Sequence, residues 1–417
     1  MNSRERVIAA ISHKQSDKIP IDLGSTPSTG ISAIAYSRLK QCIGMNNGNT
    51  RVYDVIQQLA LPEKEIIEYF GIDVIDVSRL FNTRDRDWYD FTLPNGISVQ
   101  YPNWFRPVRT SQGSLELFHP DGTKIAKMSK NGFAFDQIVF PYQDGYPKDY
   151  LNLSNDMEKV AWSIRSQEEK DYWKNLQENT AFLRDTTDKA LIVGSGCKLF
   201  EWGTYLRRID KLLTDFIRDR RNVKRLFDAI FMKQMEHLKK ICKSIGNLVN
   251  IIRFTDDLGE NNGPFMSPKI YREFIKPYHT EWCEYVHKNT SAFTFLHCCG
   301  SILPLIPDLI DAGFDILNPV QINAKNMNPK QLKEEFGDEI TFWGGGADSR
   351  HVLTRKKPEE IKKHVKELLE IFFAGGGYVW NTVHNILPDV PPENIIAMFN
   401  AVKEFNEEKK GYLNEVH

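Results

Sequence analysis

His297 and Cys299 stand two residues apart in the stretch His297-Cys298-Cys299-Gly300, where an apolar, strand-like run ends. Side chains alternate faces along a strand, so these two point the same way and Cys298 faces the other way, into packing. An imidazole and a thiolate at the open end of a strand suit zinc. A buried thiol beside a hydrogen-bonded histidine would leave the same trace, so a third donor matters. His384 offers one: it lies just past the last strand-like run, on the approach to Pro391. Three protein ligands with one open position is the pattern of catalytic zinc, as opposed to the closed four-ligand pattern of structural zinc.

Other residues fall at equivalent positions. Asp256 and Asp257 end another strand-like run; one of them, buried, could act as a base or touch a substrate, and either could instead cap a helix. Gln321 follows Asn318-Pro319-Val320 and could orient a substrate or a ligating histidine. Gly344, Gly345 and Gly346 permit close backbone approach to a ligand, or simply make a tight turn. Glu260 and Tyr271 are lesser candidates. His279, His287, His351 and His364 lie in helical or loop contexts and are expected at the surface.

These residues need a frame that brings strand ends together. Strand-like runs cover residues 18–24 (KIPIDLG), 73–78 (DVIDVS), 190–194 (ALIVG), 248–255 (LVNIIRFT), 293–297 (FTFLH), 315–318 (DILN), 341–343 (TFW) and 377–380 (GYVW). Helical runs lie between them, including 51–70, 219–245, 304–312, 329–336 and 357–372. Ser267-Pro268 and Pro391-Pro392 open further helices, with proline in the first turn. Alternating strands and helices imply a parallel sheet, and about eight units imply a closed α/β (β/α)8 TIM barrel. The active site of such a barrel sits at the carboxyl rim of its strands. Gly375, Gly376 and Gly377 precede a strand and belong to the opposite rim. Residues 83–145 read differently: Leu93-Pro94-Asn95-Gly96 and Pro120-Asp121-Gly122 are turn signals between alternating segments, as in antiparallel hairpins. The expected organisation is one barrel over residues 1–417 carrying a β-rich insertion at 83–145.

The chain of 417 residues is 41% hydrophobic and 26% charged, with a formal net charge of -1. Nothing basic points to nucleic acid and no polybasic stretch to a membrane surface. The N-terminal residues form an amphipathic helix rather than a secretory signal, and no apolar run is long enough to span a bilayer. Six cysteines spread over this length make no disulfide framework, so the cytoplasm is the expected compartment. A Gly-x-Gly-x-x-Gly fingerprint after the first strand and a phosphate loop are both missing from the sequence.

The segments SRERVIAAISHKQSDKIPIDLG, FTDDLGENNGPFMSPKIYREFIKPYH, LHCCGSILPLIPDLIDAGFDILNPVQ, ITFWGGGAD and HNILPDVPPENI together resemble the uroporphyrinogen decarboxylase-like superfamily. Within it the chain is similar to the corrinoid-dependent methyltransferases that act between methylcobalamin and coenzyme M. That resemblance implies a (β/α)8 barrel and a zinc ion held by a His-x-Cys pair and a later cysteine. His297 and Cys299 fall on the pair, and His384 falls on the later cysteine. It also implies transfer of a methyl group between a small methylated substrate or acceptor and a corrinoid, a methylcobalamin-type cofactor carried by a partner protein. This chain shows no Asp-x-His-x-x-Gly segment of the kind such carriers use. A decarboxylase-type lyase on the same barrel is the alternative. Residues 21–31 (IDLGSTPSTGI) hold no Arg or Lys with which to grip a polyanionic porphyrinogen. A non-catalytic binding protein is a third reading, and the sequence leaves open whether the chain forms a homo-oligomer.

Overall fold

The computed structural model describes residues 1–45, 47–78, 84–160 and 171–415. Thr83, where the sequence starts the insertion, and residue 417, where it ends the barrel, lie outside them. Seven parallel strands form one sheet in chain order: β1 (Val74–Asp76), β2 (Ala190–Gly194), β3 (Ile251–Thr255), β4 (Phe293–His297), β5 (Ile316–Asn318), β6 (Thr341–Trp343) and β7 (Tyr378–Val379). Residues 20–22 join its two edges. Trp380 N donates to Pro20 O and Asp22 N to Trp380 O, each at 2.9 Å, and Asp73 N donates to Ile21 O at 2.8 Å. The sheet thus closes into a (β/α)8-type barrel whose eighth staff is one short segment. The run at 18–24 was expected to be a short strand ending at Gly24. Pro20 has no N–H to give, and Gly24 turns the chain with φ of 82°, so pairing in this run is confined to a single bridge at Ile21.

Strand alternation divides the core in two. Val74, Ala190, Ile192, Ile251, Phe295, Ile316, Trp343 and Val379 point inward and pack together. Their neighbours of opposite phase, such as Leu191, Val193, Ile252, Phe254, Leu296 and Leu317, point outward to the helices. The inner set is completed at its base by Val7, Ala10 and Ile11 of helix α1 (Ser3–Ile11). This helix is tied to the amino ends of the strands: Gly377 N donates to Ala10 O at 2.8 Å, Thr341 Oγ1 to Ile11 O at 3.2 Å and Arg4 N to Asp188 O at 2.6 Å. The amino end of the barrel is stoppered and the carboxyl end is where the chemistry-bearing residues lie. Gly375, Gly376 and Gly377 sit at the stoppered end, beside Lys14 and His13.

Outside the sheet, helices α2 (Phe200–Arg207) and α3 (Arg220–Ile245) follow β2. The helix expected over residues 51–70 is shorter. Val52–Asp54 pairs antiparallel with Leu59–Ala60, and only Lys64–Phe70 is helical. Asp54 explains this: its Oδ1 accepts from the backbone of Ile56 and Gln57, each at 2.9 Å, which gives the chain a turn in place of a helix. Between 88 and 137 the chain forms antiparallel sheets, Trp88–Thr92 with Ser98–Pro102, then Val108–Arg109, Leu115–Phe118, Lys124–Met128 and Asp136–Gln137. Gly96 and Gly122 make the turns that the sequence signalled. Gln137 Nε2 reaches Tyr205 O at 2.7 Å, so these hairpins touch α2.

Candidate metal centre

In the sheet register Thr255, His297 and Asn318 stand side by side at the carboxyl ends of β3, β4 and β5. All three share the inward phase, and Cys299 continues it one step beyond His297. Cys298 takes the opposite phase and is fully buried in the outer core. His384 arrives from the far side of the mouth. Its loop is held by Val383 N to Ala347 O and Ile386 N to Gly30 O, both 2.9 Å, and by Asn385 Nδ2 to Gln57 Oε1 at 2.8 Å.

His297, Cys299 and His384 each present one donor atom, and the three atoms lie within 4.8 Å of one another. The two imidazole rings are 5.8 Å apart, and Cys299 Sγ is 3.2 Å from His297 Nε2. Two donors on one tetrahedral zinc, at bond lengths of about 2.0–2.3 Å, are separated by roughly 3.4–3.6 Å. The Sγ–Nε2 spacing is therefore close to one edge of such a tetrahedron, and the donor set fits zinc. Burial holds the His297 imidazolium off, down to about 4, with Asp257 opposing and His384 reinforcing the effect. Burial likewise lowers His384. Both rings are thus neutral near pH 7 and offer lone pairs. Burial, then the charge of Asp257, pushes the Cys299 thiol well up, so without a cation beside it the sulfur keeps its proton.

The two aspartates part company. Asp256 is fully buried and turned away from the mouth, where it accepts from Leu199 N at 3.2 Å, Phe200 N at 3.0 Å and Glu201 N at 2.9 Å. It caps the amino end of α2, and His279 Nε2 approaches it at 3.1 Å. Its oxygens are taken up by these donors, the capping arrangement that was the alternative to a catalytic role. Asp257 faces the donors: its side chain is 38% exposed, Oδ1 accepts from Cys299 N at 2.8 Å and lies 3.6 Å from His297 Nε2. His279, expected at the surface, is buried between Asp256 and Tyr271 and stacks on Trp282.

Gln321 spans two loops, with Oε1 accepting from Gly300 N at 2.8 Å and Nε2 donating to Asn261 Oδ1 at 2.9 Å. It braces the loop that carries Cys299. The glycine turn is also accounted for by the protein itself. A side chain at Gly345 would meet Val320 at 2.8 Å, and one at Gly344 would meet Thr382 O at 3.0 Å, both at positive φ. Turn geometry and packing each require glycine at Gly344 and Gly345.

Four residues near the rim escaped the sequence reading. Asn318 accepts from His297 Nδ1 at 2.7 Å, and Ser28 Oγ donates to the same Asn318 oxygen at 2.8 Å. Glu201 on α2 accepts from Thr255 Oγ1 and pairs with Lys198, both at 3.1 Å. Burial, aided by Asp257 and Asp256 against Lys198, pushes the Glu201 carboxyl up to about 7. Asn318 was findable, since it ends the strand next to His297. The others have no local signature.

The barrel and its rim thus define an α/β-barrel protein with a three-donor centre at the carboxyl mouth. The uroporphyrinogen decarboxylase (URO-D) family model matches residues 150–405, and the chain belongs to that family. Uroporphyrinogen decarboxylase of Geobacter sulfurreducens is 26% identical over 183 residues, 44% of this chain and 49% of that protein. The enzyme of the same description from Pseudoalteromonas translucida is 38% identical over 80 residues, 19% of this chain and 22% of that one. The chain spans about half the length, or less, of these curated relatives. A methyltransferase from Methanosarcina mazei shares the fold, with a TM-score of 0.58 at 18% identity, over 97% of this chain and 99% of that one. Among the described residues no helix is long and apolar enough to cross a membrane.

Proposed function

We propose that the chain is a zinc-dependent methyltransferase that exchanges a methyl group between a small methylated compound and a corrinoid carried by a partner protein. The observation that supports this best is the convergence of His297, Cys299 and His384 donors within 4.8 Å at the rim where barrel enzymes act. Bound there, zinc would supply Lewis-acid polarisation of the methyl-bearing or methyl-accepting atom. The chain's own groups set its character. One thiolate and two neutral imidazoles leave the centre formally +1, where two thiolates and one imidazole would leave it neutral. That charge favours polarising a donor such as an ether oxygen over activating an acceptor thiol. Asp257 stands beside the donors and moderates the charge. Glu201, which can hold a proton on its carboxyl near neutral pH, is linked to the rim through Thr255. A reduced corrinoid on the partner would supply the nucleophile toward the methyl carbon, the departing oxygen keeping the bonding pair.

Decarboxylation of a porphyrinogen is the second reading, favoured by the family to which the chain belongs. Residues 21–31 weigh against it: they carry no cation, and the hydroxyls of Ser25, Thr26, Ser28 and Thr29 are turned into the protein. The test is to mix zinc-loaded protein with a cobalt(I) corrinoid carrier and a panel of methyl ethers, amines and thiols. A methyl-cobalt spectrum with one donor class is expected. Its absence with every donor, together with release of carbon dioxide from a porphyrinogen, would establish the second reading.

A further inference from the structure

The segment that would have to hold cations in a porphyrinogen enzyme does something else in this chain. Thr26 caps the short turn Pro27–Thr29 by accepting from Thr29 N at 3.2 Å, while Thr29 Oγ1 accepts from Thr26 N at 3.0 Å. Ser25 Oγ bonds Asp22 at 2.6 Å. Thr26 Oγ1 lies 2.8 Å from Ser28 Oγ, and Ser28 Oγ is 2.8 Å from Asn318 Oδ1. All four hydroxyl residues are buried.

The direction of the chain of bonds follows from its last member. Asn318 Nδ2 donates to Trp343 O at 2.8 Å, which fixes Oδ1 as the amide atom that faces Ser28 and His297. An amide oxygen only accepts, so Ser28 Oγ and His297 Nδ1 must both donate to it. With its one hydrogen on Nδ1, a neutral His297 carries its lone pair on Nε2, the atom 3.2 Å from Cys299 Sγ. Ser28, with its one hydrogen directed at Asn318, turns a lone pair toward the Thr26 hydroxyl.

We infer that Ser28 and Asn318 are positioning residues that lock the tautomer and ring plane of His297, so that Nε2 is the nitrogen presented at the Cys299 and His384 donors. This rests on the reading of His297 as a ligand and adds a role for the loop between the first barrel segment and residue 32. The loop takes no part in gripping substrate carboxylates; it is a strut behind the metal centre. Partners of this kind raise the affinity of a site without touching the ion.

The experiment uses the full chain, freed of metal and labelled at histidine, with Asn318→Ala, Asn318→Asp and Ser28→Ala variants. Nuclear magnetic resonance reports which ring nitrogen of His297 carries hydrogen, and titration against a zinc-binding dye gives affinity. In the wild type the hydrogen sits on Nδ1. Asn318→Ala is expected to mix the tautomers and weaken zinc binding by about 10–100-fold. Asn318→Asp, which keeps an acceptor in place, should restore the Nδ1–H signature and most of the affinity. Ser28→Ala leaves the Asn318–Trp343 bond intact and should give a smaller loss in the same direction; it decides the matter if Asn318→Ala fails to fold. An unaltered tautomer with affinity within about twofold of wild type in Ser28→Ala and Asn318→Ala overturns the inference, as does an Asn318→Asp variant no better than Asn318→Ala. If the wild type binds no zinc while the tautomer still follows Asn318, the tautomer lock stands and the metal reading falls.

Discussion

Asp256 and Asp257 are adjacent in the chain, yet their carboxylates serve opposite sides of one strand end: the first crowns a helix and the second faces His297 and Cys299. The division predicts two different phenotypes. Asp256→Ala strands two buried amide donors and one half-buried one, each buried donor worth about 1–3 kcal/mol, so unfolding in urea should show a loss of at least about 2 kcal/mol. Asp257→Ala should stay within about 1 kcal/mol of wild type in that assay while altering zinc affinity and methyl transfer. Similar unfolding curves for both variants would contradict the assignment.

Zinc binding should expel a proton from Cys299. Both imidazoles are neutral at pH 7 and the thiol is protonated, so the ion displaces about one proton per site. Calorimetry in two buffers of different ionisation enthalpy measures it. Cys299→Ser should abolish the release, and His384→Ala should lower zinc content. His384→Cys should raise the release to about two protons and neutralise the centre, with loss of demethylation of ethers relative to methylation of thiols.

Gly346 is held by its neighbour's indole. A methyl group there would sit 2.2 Å from Trp380 Nε1, which donates to Gly346 O at 3.2 Å. Gly346→Ala should cost about 2–4 kcal/mol through overpacking and the lost bond. Gly145→Ala, where a side chain meets open space, should stay within about 0.5 kcal/mol. Denaturant midpoints compare the two.

His237, far from the donors in sequence, should shape the acid limb of stability. Burial, with Lys240 and Lys233 nearby, holds it down to about 4 from 6.5. The unfolded chain therefore binds the proton more readily. Its contribution is complete above about pH 6.5 and is lost as pH falls toward about 4, with a ceiling of about 3 kcal/mol. Substitution by Gln should flatten the fall in urea midpoint across that window. A fall as steep as that of the wild type would remove His237 as its source.

Strand phase was legible in the sequence because alternation and flanking Pro and Gly mark it locally. ALIVG, FTFLH and TFW formed strands with the residue bounds expected, and that phase alone put His297 and Cys299 together and Cys298 apart. The turn at Asp54 was not read, since a side chain competing for backbone donors looks like any helical Asp. The burial of His279 depends on Trp282 and Phe314 closing round it, which is tertiary packing. The separate duties of Asp256 and Asp257 depend on where α2 begins. Ser28 and Asn318 lie 290 positions apart, and only the closure of the barrel introduces them.

That closure, with α1 seated in the base, leaves the carboxyl mouth as the open end of the barrel among the described residues. On the methyl-transfer reading, donor and corrinoid carrier must use the same entrance. The smaller molecule has to be aboard before the larger one covers the threshold, and it cannot leave until the carrier withdraws. Turnover would then be compulsorily ordered, and an excess of carrier would slow the reaction by shutting the small molecule out.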